Sequence, residues 1–458
     1  MLKKNDFVNL HIETMTNLGF GVARLSGLVV FVSGAVTGET VEAKIIKVTP
    51  SYAVAKTEKI ITPSDIRVYD RCDFKKCQSC AYKNISYSEE CKIKENEVKE
   101  AFVKAGLGGT SVLPLVSSPK TSEYRNKAQY PVTKSADGEY IIGYYAPKSH
   151  RVCEARFCPL TPRIFGEICD TLSEFFKENE LSCYDEKTGR GLLRHIYLRR
   201  GELSGEILVT LVINGEKLPN ESRLVSKITE KCGSVVGILL NVNEKSTNVI
   251  LGDKYRVLFG RDYIFDTLCG VKLKIKPSAF YQVNHASAEL LYKKARKLAN
   301  LKKSDTLLDL YCGTGSIGLS MADDCQELFG VDIVKDAIDC AKENALFANI
   351  KNAHFFASSA DETEKILDEA TKALGRKILP DVVILDPPRS GCGERAVRFV
   401  ASLMPKRIVY ISCNPTTLAR DVRTFSSLGY THGEVTPFDL FPSTGHVESL
   451  VCLQRQTN

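Results

Sequence analysis

Near the start of the chain, short runs of apolar residues alternate with polar ones or cluster as β-branched side chains: Val8-Asn9-Leu10-His11-Ile12, Leu28-Val29-Val30-Phe31-Val32 and Val41-Glu42-Ala43-Lys44-Ile45. Gly19, Gly21, Gly34 and Gly38 punctuate them. Five or so short strands at this spacing predict a small β-barrel over residues 1–60. A Pro/Asp linker, Thr62-Pro63-Ser64-Asp65, leads into residues 66–265, where mixed helical and strand patterns predict a central α+β domain. Within it, 89–105 combines helical periodicity with dense alternating charge, which reads as a solvated helix. Over residues 266–458 strand and helix patterns alternate, with apolar runs at 306–310, 328–332, 382–386 and 408–412 that end in polar residues. This is the pattern of an open, mostly parallel α/β sheet that binds ligands at the carboxyl ends of its strands. No segment repeats at a fixed period.

Composition narrows the classes without choosing one. The chain has 458 residues, 62 Lys+Arg against 55 Asp+Glu, and 43% apolar residues. That length fits roughly two to four domains of ~100–200 residues. A disordered, collagenous or fibrous protein is excluded, and a net charge of +7 permits an anionic partner without demanding one. No run approaches the ~20 apolar residues of a membrane span; the best, residues 27–36, is interrupted by Ser33 and Gly34. Lys3, Lys4, Asp6 and Glu13 break up any signal-peptide core, so a cytoplasmic location is expected. Sixteen cysteines in such a chain point to metal binding, catalysis and buried thiols rather than disulfides.

The segment Leu307-Leu308-Asp309-Leu310-Tyr311-Cys312-Gly313-Thr314-Gly315-Ser316-Ile317-Gly318 reads as a strand, a tight turn and a helix start. Its glycines let the backbone approach a ligand, and the helix start offers free N–H donors. Gly313, Gly315 and Gly318 also satisfy G-x-G-x-x-G, so spacing alone leaves NAD and S-adenosylmethionine both open. Asp332, closing the next strand, could accept the ribose hydroxyls of either. Asp386-Pro387-Pro388-Arg389 then holds a carboxylate rigidly at a strand end, because two prolines keep the Asp out of helical geometry. Together with the glycine turn, Asp-Pro-Pro-Arg resembles S-adenosylmethionine-dependent methyltransferases.

The next strand ends in Ser412-Cys413-Asn414-Pro415, which places a thiol at the same edge as Asp386. Ser-Cys-Asn-Pro, Asp-Pro-Pro-Arg and Phe280-Tyr281-Gln282-Val283-Asn284 jointly resemble the RNA (uracil-5-)-methyltransferases, over almost the whole chain. The chemistry of such enzymes needs a thiol. Uracil C5 is a weak nucleophile until a thiolate adds at C6 and gives C5 carbanion character. The resemblance implies Cys413 as nucleophile and Glu448, in Gly445-His446-Val447-Glu448, as the base that removes the C5 proton. It also implies that Gln282, Tyr311, Gly313, Gly315 and Asp332 contact S-adenosylmethionine and that Asp386 lies between cofactor and uracil. Phe280 or Tyr281 could stack on the extruded base. Tyr124-Arg125-Asn126-Lys127 resembles a segment that contacts RNA, which assigns Arg125 to the substrate. Residues 19–56 resemble the TRAM domain, an oligonucleotide-binding-fold module of RNA-modifying enzymes.

Cys72, Cys77 and Cys80 stand as C-x4-C-x2-C, with Cys158 as a distant partner. Such a set can hold tetrahedral zinc or a cubane cluster; the resemblance implies a [4Fe–4S] cluster on these four thiols, with Cys91 and Cys153 as possible substitutes. The expectation is therefore a monomeric, multidomain RNA 5-methyluridine methyltransferase: TRAM-like barrel, central iron–sulfur domain and Rossmann-like catalytic domain. Ribosomal RNA is favoured over transfer RNA as its partner. An RNA-binding protein that keeps the cofactor fold without turnover, and an NAD-dependent oxidoreductase, are the competing readings.

Overall fold

The structure is a computed structural model that describes residues 2–69, 72, 74, 77, 79–147, 149–359, 363–375 and 377–456. Its first sheet has six strands in the spatial order Phe7–His11, Thr40–Val48, Tyr52–Thr62, Leu28–Ser33, Phe20–Leu25, Thr14–Met15. The first and last of these are neighbours in the chain, so residues 7–15 pair with both edges and close the sheet into a barrel. Alternate residues (Leu10, Val30, Val32, Val41, Ala43, Ile45, Ala53, Ala55) fill its interior, as the period-two pattern requires.

The second sheet has seven strands in the order Lys254–Gly260, Val235–Val242, Ile207–Ile213, Leu193–Arg200, Lys127–Lys134, Tyr140–Tyr145, Val152–Glu154. Only Ile207–Ile213 and Val235–Val242 run parallel among these pairs. The helices Arg163–Glu178 and Glu221–Lys231 bury Phe165, Ile168, Leu172, Phe175, Leu224 and Ile228 against it. The result is a mixed sheet with its helices packed into one shared core.

In the third sheet the strands lie in the order Ala353–Ala357, Glu327–Asp332, Thr306–Leu310, Val382–Leu385, Arg407–Ser412, Glu448–Arg455, Tyr430–His432, with Thr436–Phe438 also on Glu448–Arg455. The first five are parallel and Glu448–Arg455 is antiparallel to its neighbour. The helix Tyr87–Lys104, which the charge pattern places in solvent within the central region, packs here instead. Val98 and Phe102 share a core with Leu308, Leu310, Val383 and Leu418, while Glu90 and Lys94 are wholly buried. Its charges are tolerated inside because they meet one another: Lys94 Nζ donates to Glu90 at 2.7 Å and to Asp439 at 2.8 Å. No helix among the described residues is long and apolar enough to cross a membrane.

Candidate active site and cysteine cavity

Strand order in the third sheet reverses between Thr306–Leu310 and Val382–Leu385, the kind of place where α/β sheets open a ligand crevice. The glycine turn lies there. Tyr311 (φ 64°), Gly313 (φ 54°) and Gly315 (φ 78°) all take left-handed backbone, which glycine adopts freely and tyrosine only at a cost. Asp332 braces the turn: one carboxylate oxygen accepts the Gly313 N–H at 2.9 Å and the other the Val334 N–H at 2.9 Å. Each oxygen keeps a lone pair, so the same carboxylate can still meet ribose hydroxyls.

Two further features of this crevice escaped sequence reasoning. Ile333 and Val334 are exposed, 73% and 53%, and form an apolar ledge beside Asp332 on which a purine could lie. Two aliphatics directly after a strand-ending Asp were the available signal. Asp309 is wholly buried, and burial pushes its carboxyl up to about 8 although it accepts the Gly318 N–H at 2.9 Å. Its other oxygen is closed off from solvent and has no partner among the described residues. A turn of left-handed glycines, a braced carboxylate and an apolar ledge fit an adenosine.

The segment Phe280-Tyr281-Gln282-Val283-Asn284 crosses this turn, with Thr314 Oγ1 donating to the Phe280 carbonyl at 3.3 Å. Tyr281 is 3% exposed and its hydroxyl donates to Asp266 at 2.9 Å, so it is a core residue. Phe280 is 61% exposed and is the aromatic of the two that is free to stack. Gln282 is buried, with its side chain against the Tyr292 hydroxyl, itself 3.0 Å from Ser316 Oγ at the start of the glycine-loop helix.

Cys413 and Glu448 meet across two antiparallel strands. The pairing of Arg407–Ser412 with Glu448–Arg455 ends at Ser412↔Ser449, so the next position on each strand faces the other at the carboxyl edge. Burial pushes the Cys413 thiol up to about 11, with Glu448 and Asp386 adding to the shift and Arg389 opposing it. Glu448, 6% exposed, is pushed up to about 8 by burial and then by Asp386, again against Arg389. Desolvation alone lifts Asp386 to about 7. Asn414 ties the two turns together: its side chain accepts the Thr416 N–H at 3.1 Å, capping Pro415–Ser427, and donates to the Arg389 carbonyl at 3.0 Å. A thiol, two carboxyls poised near neutrality and a guanidinium form a set that can attack, store a proton and remove one.

The four cysteines Cys72, Cys77, Cys80 and Cys158 line one cavity of about 350 Å³. Burial pushes Cys80 up to about 12, with Cys158, Cys77 and Cys72 adding and Arg125 opposing. Thiols crowded this way resist ionising on their own, and a bound cation reverses that. Among the described residues no group of three or more His, Cys, Asp or Glu side chains is placed to hold a metal ion. Neither Cys91, on the Tyr87–Lys104 helix near Asp439, nor Cys153 is among the described residues lining the cavity. Arg125, expected on the RNA, lies in the wall of this cavity, with its Nε buried and without a hydrogen-bond partner among the described residues. Pairing puts it there: its N–H donates to the Leu160 carbonyl at 2.9 Å, two residues from Cys158, and Asn126 N–H to the Val283 carbonyl at 2.9 Å.

Comparison with known proteins agrees with this arrangement. The tRNA (Uracil-5-)-methyltransferase family matches residues 86–456, and the TRAM domain family matches residues 3–57. An uncharacterized RNA methyltransferase of Clostridium tetani is 39% identical over 99% of this chain and 97% of its own length. Another, from Clostridium acetobutylicum, is 38% identical over 99% and 98%. Among solved structures, the Pyrococcus abyssi tRNA (uracil-54, C5)-methyltransferase in complex with S-adenosyl-L-homocysteine superposes with a TM-score of 0.79 at 27% identity. That alignment covers 97% of this chain and 100% of the Pyrococcus chain. With its barrel, its switch-point crevice and its full-length relatives, this chain belongs to the S-adenosylmethionine-dependent RNA (uracil-5-)-methyltransferases that carry an N-terminal TRAM domain.

Proposed function

We propose that the chain methylates C5 of a uridine in ribosomal RNA through a covalent bond between Cys413 and uracil C6. The observation that supports this best is the facing pair Cys413 and Glu448, with Asp386 in the field of both. The Cys413 proton passes to a neighbouring carboxylate, Sγ bonds to C6, and the π pair of C5=C6 moves into an enolate. C5 then takes the methyl group while the sulfonium leaves as a neutral thioether. Glu448 takes the C5 proton, the C–H pair re-forms C5=C6, and the C6–S bond breaks to return the thiolate. Gln282, Tyr311, Gly313, Gly315 and Asp332 would hold the methyl donor, Asp386 would sit between it and the uracil, and Phe280 would stack on the base.

Cys72, Cys77, Cys80 and Cys158 fit a [4Fe–4S] cluster in donor chemistry and in the size of the cavity they line. When bound, such a cluster would tie residues 72–80 covalently to the Cys158 loop; methyl transfer itself moves no electrons through it. Residues 1–60, 66–265 and 266–458 are taken as three units of a cytoplasmic monomer, with Tyr87–Lys104 reaching from the second onto the third.

The preference for ribosomal RNA rests on the sequence resemblance alone. Transfer RNA is the second reading, supported by the activity named for the Pyrococcus enzyme. Nucleoside mapping of RNA from cells lacking the gene decides between them. Loss of 5-methyluridine from ribosomal RNA is the expected result, loss from transfer RNA alone establishes the second reading, and loss from neither overturns both.

A further inference from the structure

The turn between Thr14–Met15 and Phe20–Leu25 carries Leu18, which is 74% exposed. A lone surface leucine needs no explanation, but this one is held at a particular place. It lines, with Asn17, the same cavity of about 380 Å³ as Cys413, Asn414, Arg389 and His446. Cavities of about 300–1,000 Å³ accept small ligands, so this one has room for a single nucleotide.

The tip is fixed to the mouth of that cavity rather than free to swing. Asn17 Nδ2 donates to Glu97 Oε1 at 2.9 Å. The Asn17 carbonyl packs so closely on Gly445 that a Cβ there would overlap it, and a Cβ at Gly19 (φ 79°) would overlap the Ala81 carbonyl. The turn itself is closed by Gly19 N–H to the Thr16 carbonyl at 3.0 Å and Phe20 N–H to Thr16 Oγ1 at 3.2 Å. Arg389, on the same cavity, donates to the His446 ring at 3.1 Å. An apolar side chain held by its fixed neighbours, a cation and the thiol thus line one cavity.

A uridine in a folded RNA must leave its stack before C6 can reach a thiol, and the gap it leaves costs stacking energy. Proteins that open base steps fill such gaps with Leu, Phe, Ile or Met. We propose that Leu18 is the wedge that occupies the vacated position in the RNA stack while the target uridine lies against Cys413, with Arg389 facing its phosphate. The inference rests on Cys413 being the nucleophile.

The test uses the full-length protein and an RNA fragment carrying the mapped uridine. Leu18→Ala removes no buried packing, so the variant should fold. It is expected to slow methylation at saturating RNA roughly tenfold to a hundredfold, within the few kcal/mol that unstacking a base costs, while RNA affinity in filter binding changes less than about threefold. Leu18→Met should restore the rate. A fragment whose nucleotides flanking the uridine are abasic, and so already unstacked, should be methylated equally by Leu18→Ala and wild type. Equal rates on the intact fragment, or a deficit that persists on the abasic one, would overturn the wedge. Methylation by Cys413→Ala would instead overturn the nucleophile assignment, whatever Leu18 does.

Discussion

Lys94 and Asp439, 345 residues apart, form an ion pair of 2.8 Å with no solvent exposure on either side chain. The same ammonium donates to the Phe441 carbonyl at 3.1 Å and to Glu90, whose carboxylate accepts the Ser443 N–H at 2.7 Å. Tyr124 donates to the Pro442 carbonyl at 2.9 Å and Asn284 to the Leu440 carbonyl at 3.1 Å. Residues 439–443 are therefore held at nearly every step, and five residues later the chain delivers Glu448 to Cys413. The helix that follows the cysteine segment acts as a buttress for the proposed base.

Lys94→Met leaves Glu90 and Asp439 buried without their cation, a change that costs about 3–5 kcal/mol. Burial already pushes Glu90 up to about 7 against the pull of Lys94, so this carboxyl becomes harder still to ionise once the ammonium is gone. The variant's loss of thermal stability should accordingly be larger at pH 8 than at pH 5, where protonation relieves the uncompensated charge. A deficit independent of pH would show that the ammonium is not balancing these carboxylates.

With Glu448 as the proposed base, stability and catalysis are expected to have opposite pH dependences. Its carboxyl ionises near 8 in the fold, against 4.5 when unburied. Between those values the folded chain binds more protons than the unfolded one, so this residue's contribution to stability falls as pH rises through the window. Thermal melts of Glu448→Gln and wild type should nearly coincide at pH 5 and separate toward pH 8, with the variant the more stable. The proton-removal step needs the carboxylate, so wild-type product release should speed up toward pH 8.

The cysteine cavity predicts protein that is brown when purified without oxygen and holds about four irons per chain. Cys80→Ser should lose the iron; Cys91→Ser, altered on the helix near Asp439, should keep it. Stoichiometric zinc in place of iron would refute the cluster.

Asp332 braces the Gly313 turn, and its remaining lone pairs are the proposed acceptors for the ribose hydroxyls of the methyl donor. Asp332→Ala should weaken S-adenosylhomocysteine binding in calorimetry at least roughly tenfold, the worth of one charge-assisted hydrogen bond. Wild type should give no heat with NAD. Unchanged binding by the variant would place the ribose elsewhere.

How much of this could be read from sequence divides along a physical line. The strand at 306–310 is found at Thr306–Leu310 because all five of its residues are buried on a sheet covered on both faces, which leaves a continuous apolar run. Asp386 and Cys413 stand at one edge of the sheet because each directly follows such a run. Residues 89–105 misled in the opposite way. Glu90 and Lys94 look like surface charges, and the partner that makes their burial tolerable, Asp439, is remote in sequence. Arg125 shows the same limit: nothing local in its motif indicates that backbone pairing with residues 159–160 and 283–284 sets it in the wall of the cysteine cavity. Local periodicity reports burial against neighbours in the same element and is silent about polar partners supplied by distant ones.

The covalent step separates Cys413 from Glu448 by what each variant leaves behind. Cys413→Ala should neither methylate RNA nor bond to it, since every later step depends on the C6–S bond. Glu448→Gln keeps the shape of the site and removes the base. It should still allow addition and methyl transfer but stall before the C5 proton leaves, because a neutral amide cannot accept it. The stalled species is a thioether between Cys413 and methylated uracil, visible as a slower band in denaturing electrophoresis that requires both RNA and S-adenosylmethionine. Asp386 lies in the field of both residues and could take the C5 proton in place of Glu448. In that case Glu448→Gln would turn over near the wild-type rate and Asp386→Asn would accumulate the band. The band in Glu448→Gln, and its absence when Cys413→Ala is added, assigns the nucleophile and the base together.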